Sequence, residues 1–294
     1  MKQQVTAGSR PKRVVVTGAF DDLRSGHIRF LEEAARLGEV TVLLWADEMV
    51  RQFEGKGPKF LEAERAYFLR AIRFVRRVLL VGKSEVRDPR SEVDMGTLLS
   101  AAEEAGDKPD FVVMHRLQDT AAMIAVCQAR GIDCHLLGDE DLRGFPEAAP
   151  DLPADAPGRK RVMVTGCYDW VHSGHVRFFE EVSAYGDLYV VLGDDANLRL
   201  LKGAGHPFFP QEERRYVVGA IRYVTQALIA TGYGWLDAEP EIRRLKPDIY
   251  AVNEDGDRGG KREYCAKLGI EYLVLKRAPA TGLPKRTSTD LRGF

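Results

Sequence analysis

Two histidines stand three residues apart in the stretch "GCYDWVHSGH", residues 166–175. His172 and His175 follow a short apolar run that ends near Thr165, and the pattern predicts a helix that begins at Ser173 or Gly174. Residues three apart share one side of a first helical turn, where backbone N–H groups lack partners and the helix dipole is positive. Phosphate binds well there. The two imidazoles would stabilise charge on a phosphoryl group without a covalent bond to it.

The same phrase occurs earlier in the chain as "GAFDDLRSGH", residues 18–27. His27 matches His175, but Arg24 stands where the later copy has His172. The likeness extends from "KRVVVTG" and "KRVMVTG" through "KPDFVV" and "KPDIYA" to "DLRGF", which closes both halves. Such self-similarity indicates a duplicated unit, and 294 residues suit two domains. We predict repeats over 12–145 and 159–294, joined by the proline-rich linker 146–158.

Within each half, short β-branched runs alternate with segments of helical period. This alternation is typical of parallel strands with crossover helices, so we predict an α/β fold with helices on both faces of a parallel sheet. Ligands of such sheets bind beyond the carboxyl ends of the strands, where "TGCYDWVHSGH" falls. Neither half has the G-x-G-x-x-G turn of dinucleotide-binding proteins, which argues against that class.

Composition limits the partners. The 43 basic and 44 acidic side chains nearly cancel, so we expect no nucleic-acid partner and a small anionic ligand held by a local site. The N-terminal "MKQQVTAGSRPKR" lacks an apolar core, and no apolar run reaches the roughly 18 residues of a membrane span. We therefore expect a cytoplasmic protein without a membrane span. The four cysteines show no C-x-x-C spacing, so reduced thiols are expected.

The phrase "GCYDWVHSGH" resembles the G-x-F-D-x-x-H-x-G-H signature of the cytidylyltransferase-like nucleotidyltransferases. Three further segments occur in that family's order: "GDDANLRLLKGAGHPFFPQEER" at 193–214, "AVNEDGD" at 251–257 and "RTSTD" at 286–290. The resemblance covers the second half of the chain. It implies tandem Rossmann-like repeats that pair as an internal pseudo-dimer, and two chains could form a homodimer. It also implies that an acceptor's phosphate attacks the α-phosphate of a nucleoside triphosphate and that pyrophosphate leaves.

The resemblance also assigns residues. It makes four residues catalytic, with Lys202 reaching the α- and β-phosphates: His172, His175, Lys202 and Arg214. The nucleotide-binding candidates are Thr165, Gly166, Cys167, Tyr168, Asp169, Gly174, Asn253, Asp255, Arg286, Thr287, Ser288 and Thr289. The candidates for contact with the acceptor are Asp194, Asp195 and Trp170. Mg²⁺ is expected with the triphosphate, and no metal ligand is assigned because this ion needs few protein oxygens.

Several of these residues have a structural alternative. Asp169 could orient the turn, and Lys202 taken alone is an exposed surface lysine. The segment Thr287–Thr289 could be only a helix N-cap cluster. Trp170 and Trp235 could line a substrate pocket or lie buried in the core.

The first repeat departs from the pattern at three places. Arg24 replaces His172, Glu54 aligns with Lys202, and "GDEDLRGF" lacks the hydroxyl-rich segment that precedes "DLRGF" in the second repeat. Arg65 still matches Arg214. We interpret the first repeat as an inactive copy kept for packing, with a regulatory anion site at Arg24 and His27 as the alternative.

The nucleotide is less well defined by the sequence. The tandem layout is similar to that of the ethanolamine-phosphate cytidylyltransferases, although their first repeat, not the second, keeps the motifs. "RLLKGAGHPFFPQEER" is also similar to the adenylyltransferase domains that use ATP to activate a heptose phosphate. We predict CTP, with ATP as the alternative, and a phosphorylated or phosphonylated alcohol, amino alcohol or sugar as acceptor. A nucleotide-binding pseudoenzyme or scaffold is the hypothesis from another class.

Overall fold

The structure, a computed structural model, describes residues 10–82, 91–116, 120–147, 151–153, 157–288 and 291. The chain divides into two compact units, Met1–Arg143 and Gly144–Phe294. The repeat and linker boundaries given above stay predictions, as does the pseudo-dimer.

The first unit contains one sheet of five strands in the order β3-β2-β1-β4-β5, and every pair is parallel. Its strands are β1 (Arg13–Gly18), β2 (Glu39–Trp45), β3 (Val75–Val81), β4 (Phe111–His115) and β5 (Asp133–Leu137). Its helices are α1 (Ser25–Ala35), α2 (Asp47–Glu54), α3 (Glu62–Ala71), α4 (Glu92–Glu104) and α5 (Ala121–Arg130).

The second unit repeats this topology, with the strand order β10-β9-β6-β7-β8 and parallel pairs throughout. Its strands are β6 (Arg161–Gly166), β7 (Asp187–Leu192), β8 (Val224–Ile229), β9 (Ile249–Asn253) and β10 (Glu271–Leu275). Its helices are α6 (Ser173–Ser183), α7 (Asp195–Lys202), α8 (Gln211–Gly219), α9 (Glu239–Leu245) and α10 (Lys261–Leu268). The predicted α/β class with Rossmann-like parallel sheets is confirmed.

Burial explains why these segments form the central elements. Val162, Met163 and Val164 in β6 are fully buried, as expected of a central strand covered by helices on both faces. In α6 the fully buried side chains recur at helical spacing, at Val176, Phe179 and Val182, so this helix packs one apolar face on the sheet.

The sheet of the second unit opens at its centre. Strand β6 pairs with β7 along its full length, but with β9 only at Val162 and Met163. The chain runs from β6 towards β7 and β8 on one side and returns to β9 on the other, so the order reverses between β6 and β9. A crevice at the carboxyl ends of strands is expected at such a reversal. It lies where the turn after β6 begins.

Candidate active site

The turn after β6 holds a buried tyrosine against the second histidine. Tyr168 has a φ of 51°, and a Cβ at Gly166 would lie 2.8 Å from its ring, so only glycine fits there. The Tyr168 ring meets His175 edge-on, with centroids 5.3 Å apart. Burial raises the pKa of Tyr168 well above its usual range, so the phenol stays neutral. These contacts orient the His175 imidazole.

The two histidines lie together at the start of α6, which begins at Ser173 within the predicted range. His172 is the N-cap residue, its Nδ1 accepts a hydrogen bond from the Gly174 N–H at 3.1 Å, and its ring centroid is 4.0 Å from that of His175. A neutral imidazole whose Nδ1 accepts carries its proton on Nε2, so His172 has an N–H donor there. Gly174 is also constrained, because an added Cβ would lie 2.9 Å from Cε1 of His172.

His175 is a buried neutral base surrounded by positive charge. Burial, with help from His172, Arg277 and Lys202, holds its pKa well below 6.5. Among the residues that the structure describes, Nδ1 of His175 has no hydrogen-bond partner. Lys202 and Arg277 therefore lie near enough for their positive charge to disfavour protonation of His175.

Lys202 is the last residue of α7, and its side chain is exposed. The loop that follows is fastened to the turn after β6 by Asp169, whose carboxylate accepts hydrogen bonds from the Phe208 N–H at 2.8 Å and the Phe209 N–H at 3.0 Å. Asp169 is buried. These contacts favour the interpretation in which Asp169 orients the turn over the one in which it binds the nucleotide.

Arg214 makes contacts that favour a role other than the predicted catalytic one. Its guanidinium is buried, and it donates to three carbonyl oxygens, those of Phe209, Cys167 and Gly193, at 3.0, 2.7 and 2.8 Å. It also pairs with Asp195 at 2.8 Å. These contacts use four of its five N–H donors, so they favour a positioning residue that clamps the turn after β6; the catalytic role stays a prediction.

The two acidic candidates for acceptor contact also have structural partners. Asp194 is the N-cap of α7 and accepts from the N–H groups of Ala196 at 2.7 Å and Asn197 at 3.0 Å. Asp195 is held by Arg214. These contacts favour structural roles for both carboxylates, and their contact with the acceptor stays a prediction.

The segment after β10 returns to the start of α6. Arg277 donates to the carboxylate of Asp255 and to the carbonyl oxygen of Arg286, the latter at 2.9 Å. Arg277, Arg286, Asn253 and Gly174 line one cleft. Four nucleotide-binding candidates thus lie beside Arg277, a residue that the sequence interpretation missed. Its signal was a basic residue two positions after β10, the strand that neighbours β9.

The remaining candidates are less closely grouped. The Ser288 hydroxyl donates to the carbonyl oxygen of Trp170 at 3.4 Å, and the Thr165 hydroxyl lies 2.6 Å from that of Tyr250. Thr287 precedes Ser288 in the same segment, and Thr289 lies outside the described residues. Trp170 packs edge-on against Phe209.

No group of three or more His, Cys, Asp or Glu side chains with metal-binding geometry occurs in the described part of the chain. Protein ligands for the expected Mg²⁺ are therefore not identified. Nor does any helix within the described ranges have the length and apolar character to cross a bilayer.

The second unit is similar in sequence to known proteins. A family model described as "Cytidylyltransferase-like" matches residues 163–289, and the chain belongs to this family. Its second unit is a nucleotidyltransferase domain.

The similar proteins include FAD synthases and the bifunctional protein HldE. An FAD synthase from Ferroglobus placidus is 36% identical over 119 residues, covering 40% of this chain and 75% of the relative. An FAD synthase from Methanospirillum hungatei is 32% identical over 134 residues, covering 45% and 82%. The bifunctional protein HldE from Wolinella succinogenes is 35% identical over 123 residues, covering 40% of this chain but 24% of that protein.

Proposed function

We propose that the second unit transfers AMP from ATP to the phosphate group of a small acceptor and releases pyrophosphate. Its relatives support the nucleotide: FAD synthase is an adenylyltransferase that uses ATP, and HldE takes part in ADP-heptose synthesis. They favour ATP, the alternative given above, over CTP.

The observation that carries the reaction class is the pair of histidines at the start of α6, whose rings lie 4.0 Å apart within the influence of the positive charge of Lys202 and Arg277. In the proposed step an oxygen of the acceptor phosphate forms a bond to the α-phosphorus of ATP. The bond from that phosphorus to the oxygen bridging to the β-phosphate breaks, and its electron pair leaves with pyrophosphate. No side chain is required as a nucleophile, because such transfers depend on positioning and charge neutralisation.

Each group has a task in this step. The Nε2–H of His172 would donate to a phosphate oxygen as charge accumulates there, and the neutral His175 would supply a second ring nitrogen beside it. Lys202 and Arg277 would neutralise the departing pyrophosphate. Mg²⁺, when bound to the triphosphate, would neutralise further negative charge on its phosphates.

Pyrophosphate release tests the proposal, with ATP or CTP offered against FMN, a hexose phosphate and ethyl phosphate. We expect ATP to exceed CTP at least tenfold in kcat/KM with one acceptor. Preference for CTP would contradict the proposal that ATP is the nucleotide. Absence of release from every pair, while ATP still raises thermal stability, would favour a pseudoenzyme; a ligand at 100 times its Kd adds about 2.7 kcal/mol.

A matched pair of variants tests the role of Lys202. Lys202→Met removes the cation that would meet the leaving group, and we expect kcat to fall about 100-fold. Arg199→Met, at an exposed cation on the same helix, is expected to leave kcat within twofold. Equal losses in the two variants would show that only the general positive charge of α7 matters.

A further inference from the structure

A second polar cluster lies at the carboxyl edge of the sheet, and the step above does not use it. We call its four residues, Asn197, Asp237, Tyr250 and Lys261, the Lys261 cluster. The ammonium of Lys261 lies 6.0 Å from the centroid of the Tyr250 ring. Oδ2 of Asp237 accepts a hydrogen bond from the amide of Asn197 at 2.9 Å, and Asn197 is fully buried. The cluster is therefore partly buried, and hydrogen bonds hold Asn197 and Asp237 in place.

The cluster adjoins the crevice. The Tyr250 hydroxyl lies 2.6 Å from that of Thr165, one residue before the turn that leads to His172. Oδ2 of Asp237 lies 3.1 Å from the position that a Cβ would take at Gly193, the residue whose carbonyl oxygen Arg214 holds. The cluster therefore contacts two segments that border the crevice, the end of β6 and the residue that follows β7.

The charges of the cluster are costly for folding. Burial raises the pKa of Asp237 and lowers that of Lys261, so each charged form is disfavoured in the protein. Lys261 is also the first residue of α10, where the helix dipole disfavours a cation. Within the described ranges, no hydrogen bond or ion pair to Lys261 is found. Ionisable side chains that the protein retains in such a disfavoured environment are candidates for binding a ligand.

The first unit shows that the fold does not need the cluster. When the two repeats are aligned, Val112 corresponds to Tyr250 and Met123 to Lys261. Val112 and Met123 both lie in the apolar core of the first unit. Trp45 corresponds to Gly193, and its indole donates to the Thr17 hydroxyl at 2.9 Å. The equivalent place is filled by apolar and aromatic side chains, yet the same five-stranded sheet forms.

The groups of the cluster define a chemistry for the ligand. Asp237 can accept from hydroxyl groups, and Lys261 can donate to them. Two exposed aromatic side chains follow β8 nearby, Tyr233 at 74% and Trp235 at 57% exposure. Of the two alternatives given for Trp235, burial in the core is therefore wrong. Exposed aromatic faces beside fixed polar groups suit a ligand with a ring or chain of C–H and O–H groups.

We propose that the Lys261 cluster binds the hydroxyl groups of the acceptor, which is therefore the phosphate ester of a polyhydroxylated compound. This inference rests on the proposed function for the identity of the second substrate. A sugar phosphate and FMN, whose phosphate is carried by a ribityl chain, share this chemistry. Lys261 and Asp237 are then specificity-determining residues.

Equilibrium binding to the full chain tests this inference. The ligands are FMN, glucose 1-phosphate and ethyl phosphate, each titrated with and without an ATP analogue whose α,β-bridge is a methylene group. We expect FMN or glucose 1-phosphate to bind at least tenfold more tightly than ethyl phosphate, and the better ligand identifies the source. Lys261→Met, which installs the residue of the first unit, should weaken that binding at least tenfold and leave the Kd for ethyl phosphate unchanged.

The controls separate this role from a structural one. Lys267→Met changes an exposed lysine on the same helix and should leave every Kd unchanged. Asp237→Asn, and Lys261→Gln if Lys261→Met does not fold, provide independent changes within the cluster. The inference is overturned if wild type binds neither hydroxylated ester better than ethyl phosphate, or if Lys261→Met weakens all three equally. Wild type that binds ATP and a hydroxylated ester but releases no pyrophosphate would instead contradict the proposed function.

Discussion

Arg65 in the first unit and Arg214 in the second make nearly the same contacts, whereas Arg24 and His172 do not. Arg65 donates to the carbonyl oxygens of Phe60 and Ala19 and pairs with Asp47 at 2.7 Å. These partners correspond to Phe209, Cys167 and Asp195. The clamp thus persists in a unit that lacks the histidine pair, which indicates that it supports the turn and not the chemistry.

The brace on the following loop is shared as well. Asp21 accepts from the Lys59 and Phe60 N–H groups at 2.5 and 2.9 Å, as Asp169 does from the corresponding residues of the second unit. At three other places the first unit has changed groups that would meet phosphate in the second: Arg24, Glu54 and the segment before "DLRGF". The two units therefore share the contacts that support the turn and differ in the side chains that would bind phosphate.

The first unit has also paired its own charges. Arg24 forms an ion pair with Asp22 at 2.6 Å, and Lys59 reaches the same carboxylate at 2.9 Å. Nδ1 of His27 accepts from the Arg24 N–H at 3.2 Å, whereas Nδ1 of His175 has no such partner among the described residues. Inactivity of this unit stays a prediction; these contacts favour it over the regulatory anion site.

The largest difference between the units is expected from their histidines. His172→Asn removes the ring that donates beside the phosphates, and we expect kcat for pyrophosphate release to fall about 1,000-fold. His27→Asn should leave kcat within threefold. Comparable losses in both variants would show that the first unit is catalytic, and the comparison would then fail.

The arginine clamps are expected to behave alike. Arg214→Met and Arg65→Met each leave several buried acceptors without a donor, so each should lower the free energy of unfolding by about 3 kcal/mol. Urea denaturation followed by tryptophan fluorescence and circular dichroism measures this. A stable Arg214→Met protein that had lost only activity would restore the catalytic role predicted from the sequence.

A pair of glycine substitutions tests how exactly His172 must be positioned. Gly174 and Gly26 are the second residues of the equivalent helices α6 and α1. Gly174→Ala places a Cβ 2.9 Å from Cε1 of His172 and should lower kcat/KM about tenfold by displacing that ring. Around Gly26 an added Cβ meets nothing within 4 Å, so Gly26→Ala should leave activity unchanged and add about 0.5 kcal/mol of stability. Equal activity of the two variants would indicate that the exact position of His172 is not critical.

Sequence periodicity was sufficient for the sheet and for the start of α6, because both depend on local apolar spacing. It was not sufficient for Arg214 and Asp195, because tertiary structure brings Arg214 to the carbonyl oxygens of Cys167 and Gly193 and to the Asp195 carboxylate. Asp194 is held by the N–H groups of its own helix, a local capping contact that the family resemblance does not reveal. Arg277 was missed because no motif includes it, although it lies beside four predicted residues. The choice between ATP and CTP depends on hydrogen bonds to the base that come largely from backbone, which side-chain identities do not encode.

Trp45 bears on how readily the first unit could be given the phosphate-binding groups of the second. Arg24→His and Glu54→Lys would install counterparts of His172 and Lys202 but would leave in place the indole that donates to Thr17. Trp45→Gly would remove it, but deleting a large packed side chain costs about 3 kcal/mol, a sizeable part of the stability of an ordinary domain. A stepwise conversion therefore passes through a less stable protein, which makes it hard for evolution or protein engineering to achieve.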